Sequence, residues 1–308
     1  MRRLTVILFF LVVLTAASSH LWRLFSNKFF DITGSAEWIW TPHRISRNTP
    51  VAFFAVRTLD LPKHRAWARI KILGDPEYTL YFNGREVGGR RVRAQVHLDL
   101  FDVSALARDG QNRIVVAVRS TNGVGGLIAS VDIAPEAENI VVSGRDWKIF
   151  RRWDDELPSR DVGTPVLPMS FGEPPVGRWN YLAQKAALIA DPPTTTLQPR
   201  SSFEFRTVIP TIRIRSGIAV TVLEPARATA YDFGPTSGHV RLVLEHRGTV
   251  PPVINVRLAN AEQELSSVEA ELRPFVFAAG EKQVTDPEVN SFRYVVVYGG
   301  KARAEVLR

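Results

Sequence analysis

Apolar and polar side chains alternate with a period of two along most of this chain. Ile70 and Ile72 alternate with Arg69 and Lys71, and Tyr78, Leu80 and Phe82 share one face of their segment. Ile114, Val116 and Val118 repeat the pattern, as do Val240, Leu242 and Leu244, and Ile254, Val256 and Leu258 against Asn255 and Arg257. Val268, Ala270 and Leu272 alternate with Glu269, Glu271 and Arg273, and Phe292, Tyr294, Val296 and Tyr298 close the set. A period of two with one polar face predicts half-buried antiparallel strands. Asn83-Gly84, directly after YTLYF, predicts a tight hairpin, because both central residues of that turn need positive φ. Regular strands without long helices between them point to sandwiches or barrels. The one helical pattern in this part is Tyr181 to Ala190, stopped by Asp191-Pro192-Pro193. With 45% hydrophobic and 23% charged residues, the chain can build a sizeable core.

The N-terminus reads differently. Met1-Arg2-Arg3 is a short basic start, and Leu4 to Ala17 is uncharged and mostly apolar. That is the pattern of a secretory signal, with Thr15 to Ser19 supplying small residues for cleavage. Retained instead, Leu4 to Trp22 would span about 28 Å as a helix and act as a membrane anchor. Either outcome predicts that the remainder is extracytoplasmic, periplasmic or secreted, or tethered to the inner membrane through residues 4–22. Two further breaks divide the rest. Asp154 to Arg178 holds five prolines and three glycines, and Asp191 to Ser202 is polar and proline-rich. The predicted units are 1–22 signal or anchor, 23–35 linker, 36–190 first sandwich with its loop-rich excursion, 191–201 linker and 202–308 second sandwich.

Composition removes several chemistries. There is no cysteine, which excludes disulfides, thiolate metal sites and a cysteine nucleophile, and the six histidines show no paired ligand spacing. No metal site or cofactor is expected. The net charge of +8 favours anionic partners, but an exported chain without a nucleic-acid module is a poor nucleic-acid binder.

The order of segments carries a family resemblance. Ala36-Glu37-Trp38-Ile39-Trp40 opens the set, followed by Phe53 to Arg57, Ala68 to Ile72 and the run Tyr78-Thr79-Leu80-Tyr81-Phe82-Asn83-Gly84-Arg85-Glu86-Val87-Gly88. Then come Asp102-Val103-Ser104, Gly110 to Val118, Gly125 to Ala129 and Asp146-Trp147. This resembles the galactose-binding-like jelly roll near the N-terminus of bacterial alpha-L-rhamnosidases. Tyr231-Asp232-Phe233-Gly234, Gly238 to Leu242 and Ser291 to Val297 are similar to the sandwich that follows it there. The resemblance implies an all-β fold of two tandem antiparallel sandwiches behind the N-terminal helix. In that family the catalytic acid and base lie on a later α/α barrel, whereas this sequence stops at Arg308, so catalysis is not expected from these residues. Jelly rolls of this kind often hold calcium, but no D-x-D-x-D-type loop assigns ligands here.

Three functions stay open at this level: a carbohydrate-binding envelope protein, a glycosidase or part of a split one, and a scaffold docking an envelope protein partner. Glycoside hydrolysis needs two carboxyls across the scissile bond. Asp154, Asp155, Glu156 and Glu173 are the local candidates, and solvated loop charges are the plainer reading. Asp102 and Asp232 match family positions and read as turn caps. For sugar binding, Trp153 and Trp179 are the aromatic candidates, because both lie in irregular segments, although pinning the long loop onto the sandwich is the plainer reading; Trp38, Trp40, Trp67 and Trp147 lie on predicted strands or their edges and read as core. Arg90, Arg91 and Arg93 after the hairpin could grip an anionic oligosaccharide or polysaccharide, face anionic phospholipid headgroups, or simply solubilise an edge strand.

Overall fold

A computed structural model describes residues 2–26, 30–43, 49–93, 96–135, 137–177, 179, 183–215, 218–244, 252–267, 271–299 and 302–308. Two helices come first, α1 (Arg2–Ser26) and α2 (Phe30–Thr33). The first unit holds β1 (Trp38–Trp40), β2 (Val51–Leu61), β3 (Trp67–Asp75), β4 (Glu77–Phe82), β5 (Arg85–Arg91), β6 (His97–Asp102), β7 (Gly110–Ser120), β8 (Gly126–Ala134), β9 (Ala137–Val142), β10 (Lys148–Phe150), β11 (Met169–Gly172) and β12 (Ala183–Ala186). The second holds β13 (Thr196–Leu197), β14 (Ser201–Arg215), β15 (Ile218–Val243), β16 (Val253–Ala259), β17 (Arg273–Val276), β18 (Gln283–Tyr298) and β19 (Arg303–Leu307).

In the first unit a seven-stranded sheet, β11-β1-β8-β3-β6-β12 with β9 on β8, faces a five-stranded sheet, β10-β2-β7-β4-β5. The alternation explains the layering: Ile70, Ile72, Tyr78, Leu80, Ile114, Val116 and Val118 all enter one buried core between the sheets. Each such side chain contributes about 1.5–3 kcal/mol by leaving water. Asn83 (φ 53°) and Gly84 (φ 84°) make the β4–β5 turn, as the sequence predicts. The turn is clamped from β7, since Arg113 N–H donates to Asn83 Oδ1 at 2.9 Å and Asn83 Nδ2 donates to Asn112 Oδ1 at 2.8 Å.

The second unit is one seven-stranded sheet, β13-β19-β15-β18-β16-β17 with β14 on β15. Register shifts between Asp232 and Thr236 and between His239 and Arg241 let its long strands bend around a core that includes Phe233, Val240, Leu242, Phe275 and Phe292. Asp232 caps its own bend as expected, accepting from Gly234 N–H at 2.7 Å. The alternating run at 268–273 becomes strand only from Arg273, and residues 268–270 lie outside the described set.

Two expectations change. The helix over Tyr181 to Ala190 is absent where described: Ala183–Ala186 is an edge strand, parallel to β6 from His97 to Leu100. Ala187 N–H continues onto Leu100 O at 2.9 Å, and Ala190 N–H reaches Val87 O at 2.6 Å. An open strand edge offers those backbone groups partners, and that outweighs a weak helical preference. The proline-rich run after Asp191 is also fastened, because β13 pairs with β19 and Thr194 and Thr195 N–H groups donate to Arg308 O.

The sandwiches pack on each other through the outer face of the five-stranded sheet, where Phe54, Val115 and Ala117 meet Val276 and Ala278. In α1 the side chains of Phe9, Phe10, Leu11, Val12, Val13 and Leu14 are exposed. Judged on the described residues, no helix is long and apolar enough to cross a membrane.

Candidate functional site

The three arginines predicted as one basic strip do not form one surface. Arg90 pairs opposite Tyr78, whose side chain lies in the core, so Arg90 also points inward. Its Nε donates to Asp99 Oδ2 at 2.8 Å and its Nη2 to His97 O at 2.6 Å, tying the two sheets together. Tyr78 Oη donates to the same carboxylate at 2.5 Å. Burial, then the Asp99 charge, hold the Tyr78 phenol well above its ordinary pKa, so it stays a donor. Arg91 points the other way, donating to Glu77 Oε2 at 2.7 Å and to Pro274 O at 3.3 Å, with Asp286 3.8 Å away. Only Arg93 is exposed, and it pairs with Glu288 at 3.0 Å and Glu271 at 3.5 Å. Each positive charge therefore meets a carboxylate of this chain, on partners the local sequence does not reveal.

The two tryptophans are fasteners. Trp179 is 7% exposed, stacks on Trp38 with ring centroids 4.3 Å apart, and donates from Nε1 to Asp75 Oδ2 at 2.7 Å. Trp153 packs on Phe54 and Tyr81 while its backbone N–H donates to Ala279 O at 2.8 Å, pinning the excursion against the second sandwich. The nearby carboxylates are turn groups. Asp154 Oδ1 accepts from Glu156 N–H, Asp155 Oδ1 accepts from Trp153 Nε1, and Glu156 pairs with Arg160. Glu173 is exposed. Among the described residues, no three metal-binding side chains cluster.

A cleft with binding character opens instead on the outer face of the seven-stranded sheet. Ile70 and Ile72 point into the core, so β3 turns Trp67, Arg69 and Lys71 outward. Across the sheet β8 brings Asp132 opposite Arg69, and β12 brings Gln184 beside β6. With Ile32 of α2, Leu100 and Glu138 these residues line a cleft of about 330 Å³. Its floor is satisfied: Lys71 Nζ pairs with Asp132 at 2.9 Å, donates to Asn139 Oδ1 at 2.9 Å and also bonds Ile32 O. Asp132 Oδ1 in turn accepts from Asn139 N–H at 2.8 Å. The rim is available. Arg69 lies over the half-buried Trp67 ring at 4.5 Å from its centroid, holds Asp102 at 3.3 Å and stays partly exposed, while Gln184 and Glu138 are exposed. Trp67 reads as core from its place at a strand edge, yet it is in phase with Arg69 and Lys71, and that phase is the signal for its outward face.

The class is thus an all-β protein of two tandem antiparallel sandwiches, with a polar, aromatic-edged cleft on the first. No protein-family model and no curated protein matches the chain. Among solved structures it is similar to an alpha-L-rhamnosidase from Dictyoglumus thermophilum, at 19% identity and a TM-score of 0.51, over 89% of this chain and 35% of that one. An alpha-L-rhamnosidase from Aspergillus terreus aligns at 15% identity and a TM-score of 0.49, over 89% of this chain and 36% of that one. A lectin from Pleurotus ostreatus, solved with GalNAc, aligns at 12% identity and a TM-score of 0.41, over 90% and 77%. The chain spans about a third of the rhamnosidases' length, and at such identities the likeness is one of fold.

Proposed function

We propose that this chain is an exported carbohydrate-binding protein of the cell envelope, carried there by its basic and apolar N-terminus. The observation that carries the reading is the cleft on β3, where a partly exposed indole edge stands beside Arg69, Gln184 and Glu138 above a floor of paired charges. Sugars need this combination: an apolar ring surface for their C–H face and a few fixed polar groups for hydroxyls. Arg69 is paired with Asp102 and Lys71 with Asp132, so the cleft offers no free cation to an anionic sugar and favours an uncharged one. An anionic glycan held by Arg90, Arg91 and Arg93 would have to displace Asp99, Glu77 and Glu288. Binding does not require chemistry, and the carboxylates at 154–156 are engaged in turn hydrogen bonds and a pair with Arg160.

A glycan array tests this. Wild-type protein should bind a set of uncharged glycans, and Trp67→Ala should lose that set while melting cooperatively. Absence of any glycan binding, or binding indifferent to Trp67→Ala, overturns the reading.

A further inference from the structure

The second sandwich has a cleft of its own, built from different elements. Strands β14 and β15 pair Ser202 with Tyr231 and Glu204 with Thr229, which puts these four side chains on one face. Ala302 and Arg303, at the start of β19, close the side of a groove of about 480 Å³. Tyr231 Oη donates to Ala302 O at 3.0 Å, fixing the ring against that wall. Burial, partly offset by the Arg303 charge, raises the phenol's pKa, so it remains a neutral group. Arg303 donates to Glu305 Oε1 at 2.7 Å, and Glu305 also holds Arg241, so one carboxylate serves two guanidinium groups. Glu204 is exposed and makes no hydrogen bond or ion pair among the described residues.

We infer that this groove is a second sugar subsite, for an uncharged glycan unit, and that the chain grips a polymer at two places. The chemistry mirrors the first cleft without repeating its residues. The Glu204 carboxylate can accept from sugar hydroxyls, the Ser202 and Thr229 hydroxyls can donate or accept, and the Tyr231 ring offers an apolar face. The Glu204 carboxylate offsets the surplus charge of the Arg241–Glu305–Arg303 group, so the groove carries no net charge and suits uncharged sugars better than uronates or sulfates. The two clefts sit on separate sandwiches that share a packed apolar interface and ion pairs, so their spacing is held. Two fixed weak sites turn a second contact on the same polymer into an intramolecular event, which multiplies apparent affinity by roughly 10²–10⁴ when the span fits. The inference rests on the proposed carbohydrate reading, and the test separates the two.

The experiment is affinity gel electrophoresis of the full chain through dextran, mannan, galactomannan and xylan, with polygalacturonate as the anionic control. Wild type, Trp67→Ala, Glu204→Ala and the double variant are compared, with thermal melts to show that all are folded. Glu204 is exposed, so its removal leaves packing intact. The expected result is retardation of wild type in at least one neutral polymer, a loss of apparent affinity of roughly tenfold or more in each single variant, and no retardation of the double variant. If Glu204→Ala migrates like wild type while Trp67→Ala is released, the second subsite is refuted and the first cleft stands. If Glu204→Ala alone abolishes retardation, the first cleft falls. Retardation by polygalacturonate only, or by no polymer, overturns both.

Discussion

Arg119 lies in the interface between the sandwiches, and its removal gives the sharpest prediction about stability. The side chain is 7% exposed and its partner Glu281 5%. Arg119 Nε donates to Val276 O at 3.1 Å while its Nη2 bonds Glu281, and Glu281 Oε2 accepts from Ala278 N–H at 2.7 Å. Burial pushes the Glu281 carboxyl up, with Arg119 the chief opposing charge, and Glu77 feels the same burial and also leans on Arg119. Arg119→Met therefore leaves a buried carboxylate without its cation and an orphaned carbonyl. Breaking one side of a buried pair costs about 3–5 kcal/mol. For a chain of this size that lowers the melting temperature by about 6–20 °C, at about 2–4 °C per kcal/mol. The double variant Arg119→Met with Glu281→Gln removes both charges and should regain most of the loss, because a hydrophobic or neutral replacement of a buried pair is often close to neutral. Urea titration of wild type, both single variants and the double variant measures this as a coupling energy. A single-variant loss within the roughly 0–1 kcal/mol of an exposed pair would refute the claim that this contact is buried between the sandwiches.

Trp179→Ala should cost about 3–5 kcal/mol in urea unfolding, the usual loss for a buried aromatic, and should spare glycan binding. A variant as stable as wild type would contradict its stacking on Trp38. Asp232 is held below its ordinary carboxylate pKa chiefly by the Arg293 hydrogen bonds. A depressed folded pKa contributes stability above the unfolded value, lost as pH falls through the folded one, so Asp232→Asn should flatten the acid limb of melting temperature between about pH 5 and 2. An unchanged limb would show that the pair contributes nothing. Aryl rhamnosides should not be turned over by this chain, and turnover abolished by Asp155→Ala or Glu173→Ala would show that the excursion is catalytic.

Period-two alternation made the strands legible, and the inward faces of the first sandwich with them, and Asn83-Gly84 made the hairpin legible, because both are local properties. In β18 the phase misled, since Phe292 joins Val295 and Val297 in one core while Tyr294, Val296 and Tyr298 pack in another. The same alternation contained the cleft: Trp67 is two residues from Arg69 and four from Lys71, so it shares their outward face. Its place at a strand edge suggests core, and only the phase points it outward. The arginine cluster failed for the opposite reason. Arg90 and Arg91 are neighbours in sequence but point to opposite faces, and Asp286 and Glu288 reach Arg91 and Arg93 from nearly two hundred residues away. Nothing local announces such partners. Tyr181 to Ala190 carries a helical pattern, but the free edge of β6 decides its described part. Trp153 and Trp179 sit in irregular segments, and the fold names what they pin those segments to, Phe54 for the first and Trp38 for the second.

A sugar bound in the first cleft meets the Trp67 indole. The chain has seven tryptophans, so a ¹H–¹⁵N correlation spectrum should show seven indole N–H signals, to be assigned by single Trp→Phe substitutions. Titrating the protein with a short fragment of whichever neutral glycan it binds should move the Trp67 indole signal progressively, with those of Trp38, Trp147 and Trp179 left in place. Shifts confined to Trp153 or Trp179, or a Trp67 signal that stays fixed while binding saturates, would contradict it.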